Sequence, residues 1–238
     1  MEWTDDAFVL GLRRHGETSV ILEALTREHG RHLGLVRGGR SREKRPVLQA
    51  GNAVRLVWRG RIEEHLGNFE VEAVTLHAGR ILSSKLALFA LNHVAALARL
   101  LPERDPHPAV HSALEHLLES IGDVELAPAM VARFELEMLA ELGFGLDLSV
   151  CAVTGGDADL AYVSPRSGRA VSRIAGAPYA DRLLPLPPFL RESGAAPTGA
   201  EIIDAYRLTG YFLQRDVLGP RGVEMPQGRQ ALIDAAKP

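Results

Sequence analysis

The spacing of apolar residues changes once along the chain, close to Gly79, and this change constrains the fold more than any other feature. Before it, runs with the two-residue period of β-strands occupy residues 7–14, 18–25, 31–37, 52–59 and 68–73, separated by glycine-containing turns. Five short strands in about eighty residues favour a small closed barrel over an open sheet, whose edges would stay exposed. We therefore predict an OB-type barrel over residues 1–79.

After Gly79 the period becomes helical and predicts helices around residues 86–100, 110–121 and 127–142. A further helix is expected over 198–218, where Thr198 and Glu201 have capping-box spacing, and a last short one after Pro226. The predicted core stripes are Leu86, Phe89, His93, Leu97 and Leu100; Val110, Leu114, Leu117 and Ile121; and Val131, Phe134, Met138 and Leu142. The expected fold is α+β, a barrel followed by an all-α domain over residues 80–238, with an irregular or small-stranded insertion at about 145–190.

Positive charge is concentrated in one region of the chain. The formal net charge is −3, yet residues 27–61 hold ten Lys or Arg and only two acids, which gives that window +8 and leaves −11 elsewhere. Such asymmetry is typical of a polyanion-binding face on an otherwise acidic protein. A merely solvated basic loop is the alternative interpretation.

Composition and the apolar pattern predict a cytoplasmic protein. Cys151 is the single cysteine, which excludes an intrachain disulfide and fits a reducing compartment. Residues 1–6 carry three acids and no basic segment, so no secretory signal is expected. The most apolar stretch, residues 86–101, is too short and too polar to span a bilayer.

The segment 37–45, Arg-Gly-Gly-Arg-Ser-Arg-Glu-Lys-Arg, is the strongest functional signal. Its five cations and two glycines predict a flexible clamp for phosphates that binds nucleic acid with little sequence preference. Arg55 and Arg59, at strand spacing, are expected to extend the clamp over the barrel face, whereas Trp58 falls on the core face. The predicted DNA-binding residues are Arg37, Arg40, Arg42, Lys44, Arg45, Arg55 and Arg59.

Signatures of catalysis are absent, so no enzymatic activity is predicted. The sequence has no phosphate loop, nucleophile elbow, zinc-protease motif or dinucleotide fingerprint. His107, His111 and Glu115 are spaced to gather on one helix edge, which leaves a metal-dependent hydrolase as an alternative, although structural zinc needs four ligands. Asp157 and Asp159 are more simply explained as turn residues.

Several segments, in order and spacing, resemble the RecO family of recombination mediators over nearly the whole chain. They are residues 7–17, AFVLGLRRHGE; 20–26, VILEALT; 29–41, from His-Gly to LVRGGRS; 133–144, from RFEL to LGF; and 163–171, VSPRSGRAV. The resemblance implies an N-terminal OB domain, a helical C-terminal domain, and binding of single- and double-stranded DNA. It also implies strand annealing, RecA loading, and contacts with RecR and single-strand-binding protein. An OB-domain RNA- or ribosome-binding factor, which would share the basic barrel, remains a rival.

The chain departs from the family at a metal site. Many members carry two C-x-x-C pairs after the central helix, whereas only Cys151 remains here, and Thr154, Ser172 and Ala175 fall on the other positions. One thiolate cannot build a tetrahedral zinc site, so we predict a degenerate zinc-finger region with no bound metal or other cofactor.

A partner site is expected on the central helix. Arg133 and Leu136 share a helix face away from the Val131 stripe, and with Arg229 they resemble a pocket for the acidic, apolar tail of single-strand-binding protein. The alternative is that this helix is buried on two sides and Leu136 is part of the core.

Overall fold

The computed structural model describes residues 1–62, 64–192 and 196–237, and the chain divides into two compact units, Met1–Gly122 and Asp123–Pro238. The described residues of the first unit form five strands and four helices, in the order β1 (Glu2–His15), β2 (Ser19–Thr26), β3 (Arg31–Val36), α1 (Lys44–Val47), β4 (Ala53–Arg59), β5 (Asn68–Thr75), α2 (Ala78–Ser83), α3 (Lys85–Ala98) and α4 (Pro108–Ser120). The predicted change from strands to helices therefore occurs between Thr75 and Ala78. Helices α2–α4 group with the strands, so the division of the chain into compact units falls between residues 122 and 123, whereas the predicted domain boundary at residue 79 remains a prediction.

The five strands form a closed barrel in the order β1-β2-β3-β5-β4. Strand β1 closes it, because Glu2–Phe8 pairs antiparallel with β4 and Ala7–His15 pairs antiparallel with β2, with a bulge between Val9 and Gly11. The circuit is completed by a parallel contact between Leu35 of β3 and Asn68 of β5. Strand β1 begins five residues before the predicted start, because Asp5 and Asp6, residues disfavoured in strands, hide its first half in the sequence.

The barrel interior is largely apolar, as the alternating pattern predicts, with His32 buried beside the rings of Trp58 and Phe69. Val54, Leu56 and Trp58 are all 0% exposed, and the indole N–H of Trp58 donates to the Leu66 carbonyl at 3.1 Å. Because a buried indole needs a partner for its N–H, this bond lets Trp58 fill the core without leaving an unsatisfied donor. The prediction that Trp58 faces the core is confirmed.

The helices of the first unit bury wider faces than simple stripes. The predicted stripe of α4 is confirmed, since Val110, Leu114, Leu117 and Ile121 are buried. The stripe of α3 is wrong in part, because the buried face is carried largely by alanines and by Leu91 and Val94, while Leu86, Phe89 and Leu100 are only half-buried. Alanines contribute little to an apolar stripe in a sequence, yet they let a helix pack closely.

The second unit is built on helices with a small sheet inserted between them. Its elements are α5 (Ala127–Leu139), a π-type turn (Ala140–Phe144), β6 (Leu160–Val163), β7 (Ala170–Ser172), α6 (Arg173–Gly176), 3₁₀ turns (Ala177–Arg182 and Pro188–Leu190), β8 (Leu184–Pro185), α7 (Gly199–Phe212), a π-type segment (Leu213–Leu218), α8 (Gly219–Arg221) and α9 (Gly228–Ala235). The inserted strands form a sheet in the order β7-β6-β8. The capping box of Thr198 and Glu201 is confirmed, and α5 ends three residues before its predicted end, shortly before Gly143 at φ 87°.

No helix in the described ranges is long and apolar enough to cross a membrane.

Candidate nucleic-acid interface

The basic loop, residues 37–45, is a set of hydrogen-bonded turns that leads from β3 into α1. Ser41 N–H donates to the Gly38 carbonyl at 2.9 Å, and Arg45 N–H donates to the Ser41 carbonyl at 3.1 Å. Gly38 adopts φ 63°, a left-handed conformation that favours glycine. A Cβ on Gly39 would lie 2.5 Å from a methyl of Val20, so only glycine lets the loop approach strand β2 this closely. The two glycines thus shape the loop as well as allowing it to bend.

The five loop cations are kept free of carboxylates. Arg37 Nε donates to Asn68 Oδ1 at 3.2 Å, Lys44 Nζ donates to the Arg37 carbonyl at 2.9 Å, and a guanidinium N–H of Arg40 donates to the Glu17 carbonyl. All three acceptors are neutral. Within the part of the chain that the structure describes, none of Arg37, Arg40, Arg42, Lys44 and Arg45 lies in an ion pair with an acid. With five cations and one acid, Glu43, the loop therefore carries a net charge of +4, and no ion pair among the described residues neutralises its cations.

Arg55 and Arg59 lie in different surroundings, on the outer face of β4. Arg55 Nε contacts Asp6 Oδ1 at 2.9 Å, and Arg59 Nε contacts Glu2 Oε2 at 2.8 Å and also pairs with Glu70. The hydrogen bonds that the two arginines donate to these carboxylates raise the pKa of both arginines, and the Arg59 guanidinium lowers the pKa of Glu2.

These ion pairs remove Arg55 and Arg59 from the basic surface. Glu72, opposite Arg55 in the β4–β5 register, adds a further acid to the same face. Four acids therefore surround two arginines, and this face has no excess of positive charge to attract a polyanion. The arrangement does not support the prediction that the two arginines extend the clamp.

A cleft beside the basic loop brings in a cation that the sequence analysis missed. Arg14 of β1 lines it together with Arg40 and Arg45, and Leu12 and Gln49 complete its walls. The signal in the sequence was the Arg13-Arg14 pair before the turn at residues 15–17, but the pair lies outside the basic window and its position near the loop follows only from the β1–β2 pairing.

On α5, the predicted partner residues Arg133 and Leu136 are both half-buried. The Arg133 guanidinium donates to the backbone carbonyls of Phe189 and Glu192 at 2.6 and 2.9 Å, and lies over the Phe189 ring at 6.0 Å. Its charge is thus held on neutral acceptors and stays available to a carboxylate. Glu137 shares this edge, where burial and then Glu141 raise its pKa.

Arg229 is not presented to solvent with these residues. It is 8% exposed, and its guanidinium forms an ion pair with Glu135, which is 0% exposed, with an Nε–Oε1 distance of 2.7 Å. It also donates to the Tyr206 carbonyl and to Thr209 Oγ1, and it lies 4.9 Å from the centre of the Tyr206 ring. The expectation that Arg229 joins a surface pocket conflicts with this geometry, because its hydrogen-bonding capacity is directed into the core that joins α5, α7 and α9.

The residues at the degenerate zinc-finger positions do not fit a metal. The Cys151 sulfur accepts the Ser172 N–H at 3.2 Å and lies 3.5 Å from Ser172 Oγ, so hydroxyl-bearing residues surround it where thiolates would be needed. Burial of the Cys151 thiol opposes its ionisation, but hydrogen bonds from Thr154 and Ser172 outweigh burial and lower its pKa to about 6.

The alternative metal cluster is not assembled either. His111 packs its ring 4.8 Å from that of Phe8, while Glu115 pairs with Arg27 at 3.4 Å. Over residues 1–62, 64–192 and 196–237, no group of three or more His, Cys, Asp or Glu side chains is arranged to hold a metal ion. The arrangement gives no support to the hydrolase alternative.

Comparison with known proteins covers both parts of the chain. Residues 1–77 match the family described as recombination protein O N terminal, and residues 83–223 match recombination protein O C terminal. A protein named DNA repair protein RecO from Methylobacterium nodulans is 58% identical, covering 98% of this chain and 97% of its own. Proteins of the same name from a Bradyrhizobium strain and from Mesorhizobium japonicum are 57% and 55% identical, covering 99% and 100% of this chain and 96% and 94% of their own.

Proposed function

Because this chain belongs to the RecO family of DNA repair proteins, we propose that it is a recombination mediator that acts by binding and not by covalent catalysis. An OB-type barrel holds single- and double-stranded DNA. The helical unit engages single-strand-binding protein, and RecR is the second partner. Together these contacts let complementary strands anneal and RecA load, in the cytoplasm and on the nucleoid.

The observation that carries this proposal is the uncompensated charge of the basic loop. A polyanion gains most from cations that carry no carboxylate of their own, because each neutralised phosphate releases condensed counterions. Phosphates are common to single strands and duplexes, so a loop of this kind binds both. If all five cations contact phosphates, the slope of log affinity against log salt is about −3.5 for single strands.

The barrel provides a second reason to assign the contact to the loop. OB barrels bind oligonucleotides on the face of strands 2 and 3 and on neighbouring loops. Here the strand face carries Glu23, which pairs with Arg31 and Arg99 at 2.8 Å each, so its charge is already balanced. The loops at the end of the barrel are left as the attractive surface.

Titration of a fluorescent single-stranded DNA at rising salt tests the proposal. From 50 to 200 mM salt, affinity should fall roughly 100-fold for the wild type, and most of this dependence should vanish when the five loop cations become alanine. The matched control replaces Arg55 and Arg59, also with alanine, and should keep the wild-type slope because both are paired with acids. Affinity that is insensitive to salt, or equal in the five-alanine variant, would overturn the phosphate-binding mechanism.

Competition with RNA separates the rival function. An OB-domain RNA- or ribosome-binding factor would release the labelled DNA to an RNA strand of equal length and sequence at a lower concentration than to DNA. Equal or stronger competition by DNA is the expected result.

A fluorescence-transfer assay with complementary strands tests annealing. The five-alanine variant should anneal the strands more slowly, because it no longer neutralises phosphates and the repulsion between the strands remains.

For the protein partner we propose that Arg133 and Leu136 seat the acidic, apolar tail of single-strand-binding protein. The half-exposed guanidinium is held in place by two carbonyls, which pre-organises it for a carboxylate. A pull-down with a tail peptide should fail for Arg133→Ala and persist for Arg207→Ala, which removes an exposed arginine from α7. If the Arg133→Ala protein still binds the tail peptide, Arg133 is not part of the partner site. A matching pull-down with RecR tests the second partner.

A further inference from the structure

The cleft beside the basic loop is open because the β1–β2 hairpin extends past the barrel. Strand β1 pairs with β4 only as far as Phe8, whereas its pairing with β2 continues to His15. Residues directly opposite one another on antiparallel strands share a face. Arg14 lies opposite Val20, which is buried, so Arg14 faces the core side of the sheet and yet is exposed.

Leu12 lies two residues earlier on that same face and is 41% exposed. Beyond the end of the barrel nothing in the described chain covers it fully. Leu22, which lies opposite Leu12 on β2, is 0% exposed, so the edge of the barrel interior lies between these two side chains. The hairpin thus contributes one apolar and one cationic side chain to the cleft.

The opposite wall comes from the basic loop and the segment after α1. Arg40 and Arg45 extend from it, and Gln49 adds an amide. The wall is fixed to the hairpin, because Arg40 N–H donates to the Thr18 carbonyl at 3.0 Å and the Arg40 guanidinium donates to the Glu17 carbonyl. The cleft is about 380 Å³, and its lining carries three guanidinium groups and no carboxylate.

We propose that this cleft holds one unpaired nucleotide of a DNA strand, an inference that rests on the proposed function. The flanking phosphates would contact Arg14, Arg40 and Arg45, and the base would lie against Leu12. A site for phosphate alone would gain nothing from an exposed leucine in its wall. The volume lies within the roughly 300–1,000 Å³ typical of small-molecule sites.

The chemistry favours an unpaired base. A base within a duplex reaches such a cleft only after unstacking and unpairing, whereas a base in a single strand pays neither cost. The Gln49 amide donates one N–H to the Arg45 carbonyl at 2.8 Å, which leaves its second N–H and its oxygen to meet the exposed edge of any base without selecting one. The cleft therefore gives single strands an advantage that phosphate contacts on the rest of the loop do not give.

The test compares two labelled strands of equal length, an oligothymidylate and an oligomer of abasic sites, which carries the same phosphates without bases. The full chain should bind the thymidylate about fivefold more tightly. Leu12→Ala should remove this preference for strands with bases and keep the salt slope. Gln49→Ala should reduce the same preference. Arg14→Ala should lower the salt slope by about 0.7, because one phosphate contact is lost.

Arg13→Ala is the matched control. Arg13 neighbours Arg14 in sequence but pairs with Ile21, so it lies on the other face of the hairpin, and its removal should leave the base preference intact. If the wild type binds both strands equally and with the same salt dependence, the proposed nucleotide site in the cleft is wrong, whereas phosphate binding by the loop is still supported. A preference that survives in both Leu12→Ala and Gln49→Ala would overturn it as well. Binding of neither strand, or binding insensitive to salt, would instead reject the proposed function.

Discussion

The buried ion pair of Arg229 and Glu135 gives the sharpest test of how the second unit is held together. Replacing Arg229 by alanine leaves the Glu135 carboxylate, which is 0% exposed, without its guanidinium partner. The change also removes donors to the Tyr206 carbonyl and to Thr209, and with them the hydrogen bonds of this side chain that join α9 to α7.

The expected cost is large because the remaining charge stays in the core. Removing one partner of a buried ion pair typically costs about 3–5 kcal/mol, since desolvation of the other is no longer offset. In a chain of this size that corresponds to a melting temperature lower by roughly 10 °C. Replacing both partners with apolar residues of similar volume, Arg229→Met with Glu135→Leu, should recover most of the loss, because no buried charge is left.

The distribution of tryptophans gives a probe that is confined to one unit. Both tryptophans, Trp3 and Trp58, belong to the first unit, whereas the far-ultraviolet circular dichroism reports α5, α7 and α9 together with α2–α4 of the first unit. Arg229→Ala should lower the melting temperature followed by circular dichroism and leave the one followed by tryptophan fluorescence unchanged. The exposed Arg207→Ala should change the free energy of unfolding by no more than about 0.5 kcal/mol with either probe. An Arg229→Ala protein that unfolds like the wild type but no longer binds the tail peptide would show that Arg229 is a partner contact and that the buried-pair argument is wrong.

Three further predictions concern single residues. His111 is 2% exposed, neither ring nitrogen has a hydrogen-bond partner among the described residues, and burial followed by Arg27 lowers its pKa. The free energy of unfolding of the wild type should therefore decrease as the pH is lowered from about 6.5, because the unfolded state binds a proton that buried His111 does not. When unfolding is measured against pH, this decrease should be smaller in His111→Phe and unchanged in His116→Phe. Gly39→Ala should weaken DNA binding, because the added methyl would clash with Val20 and displace the basic loop. Gly38→Asn should not weaken it, because asparagine tolerates the positive φ of this position. Metal analysis should find no stoichiometric zinc, and a chelator should leave the melting temperature unchanged; zinc bound at Cys151 would contradict this.

The fold was predictable where a single residue pattern controls a single element. Alternation predicted Trp58 in the core, and the spacing of Thr198 and Glu201 predicted the start of α7, because both signals are local. The grouping of α2–α4 with the barrel was not local. It depends on long-range bonds such as Arg99 Nη2 to the Leu10 carbonyl at 2.7 Å, which no periodicity encodes.

The partner residues on the helices show the same limit. Arg229 looks like an exposed cation in a polar segment, since its neighbours Gly228 and Gln230 carry no apolar pattern. Only the fold reveals that Glu135, distant in sequence, supplies the counter-charge that permits burial. A lone charge in a sequence therefore does not indicate which side of a helix it occupies.

The division of the seven predicted DNA-binding cations follows from strand register, and it carries the functional argument. Acids at positions 2 and 6 and arginines at 55 and 59 share a spacing of four, so one antiparallel register brings Glu2 opposite Arg59 and Asp6 opposite Arg55. That match was visible in the sequence, but it has meaning only once β1 is known to pair with β4. The basic loop has no strand opposite it and acquires no such partners. Local charge density marks a candidate surface, and pairing decides which of its charges a DNA strand can neutralise.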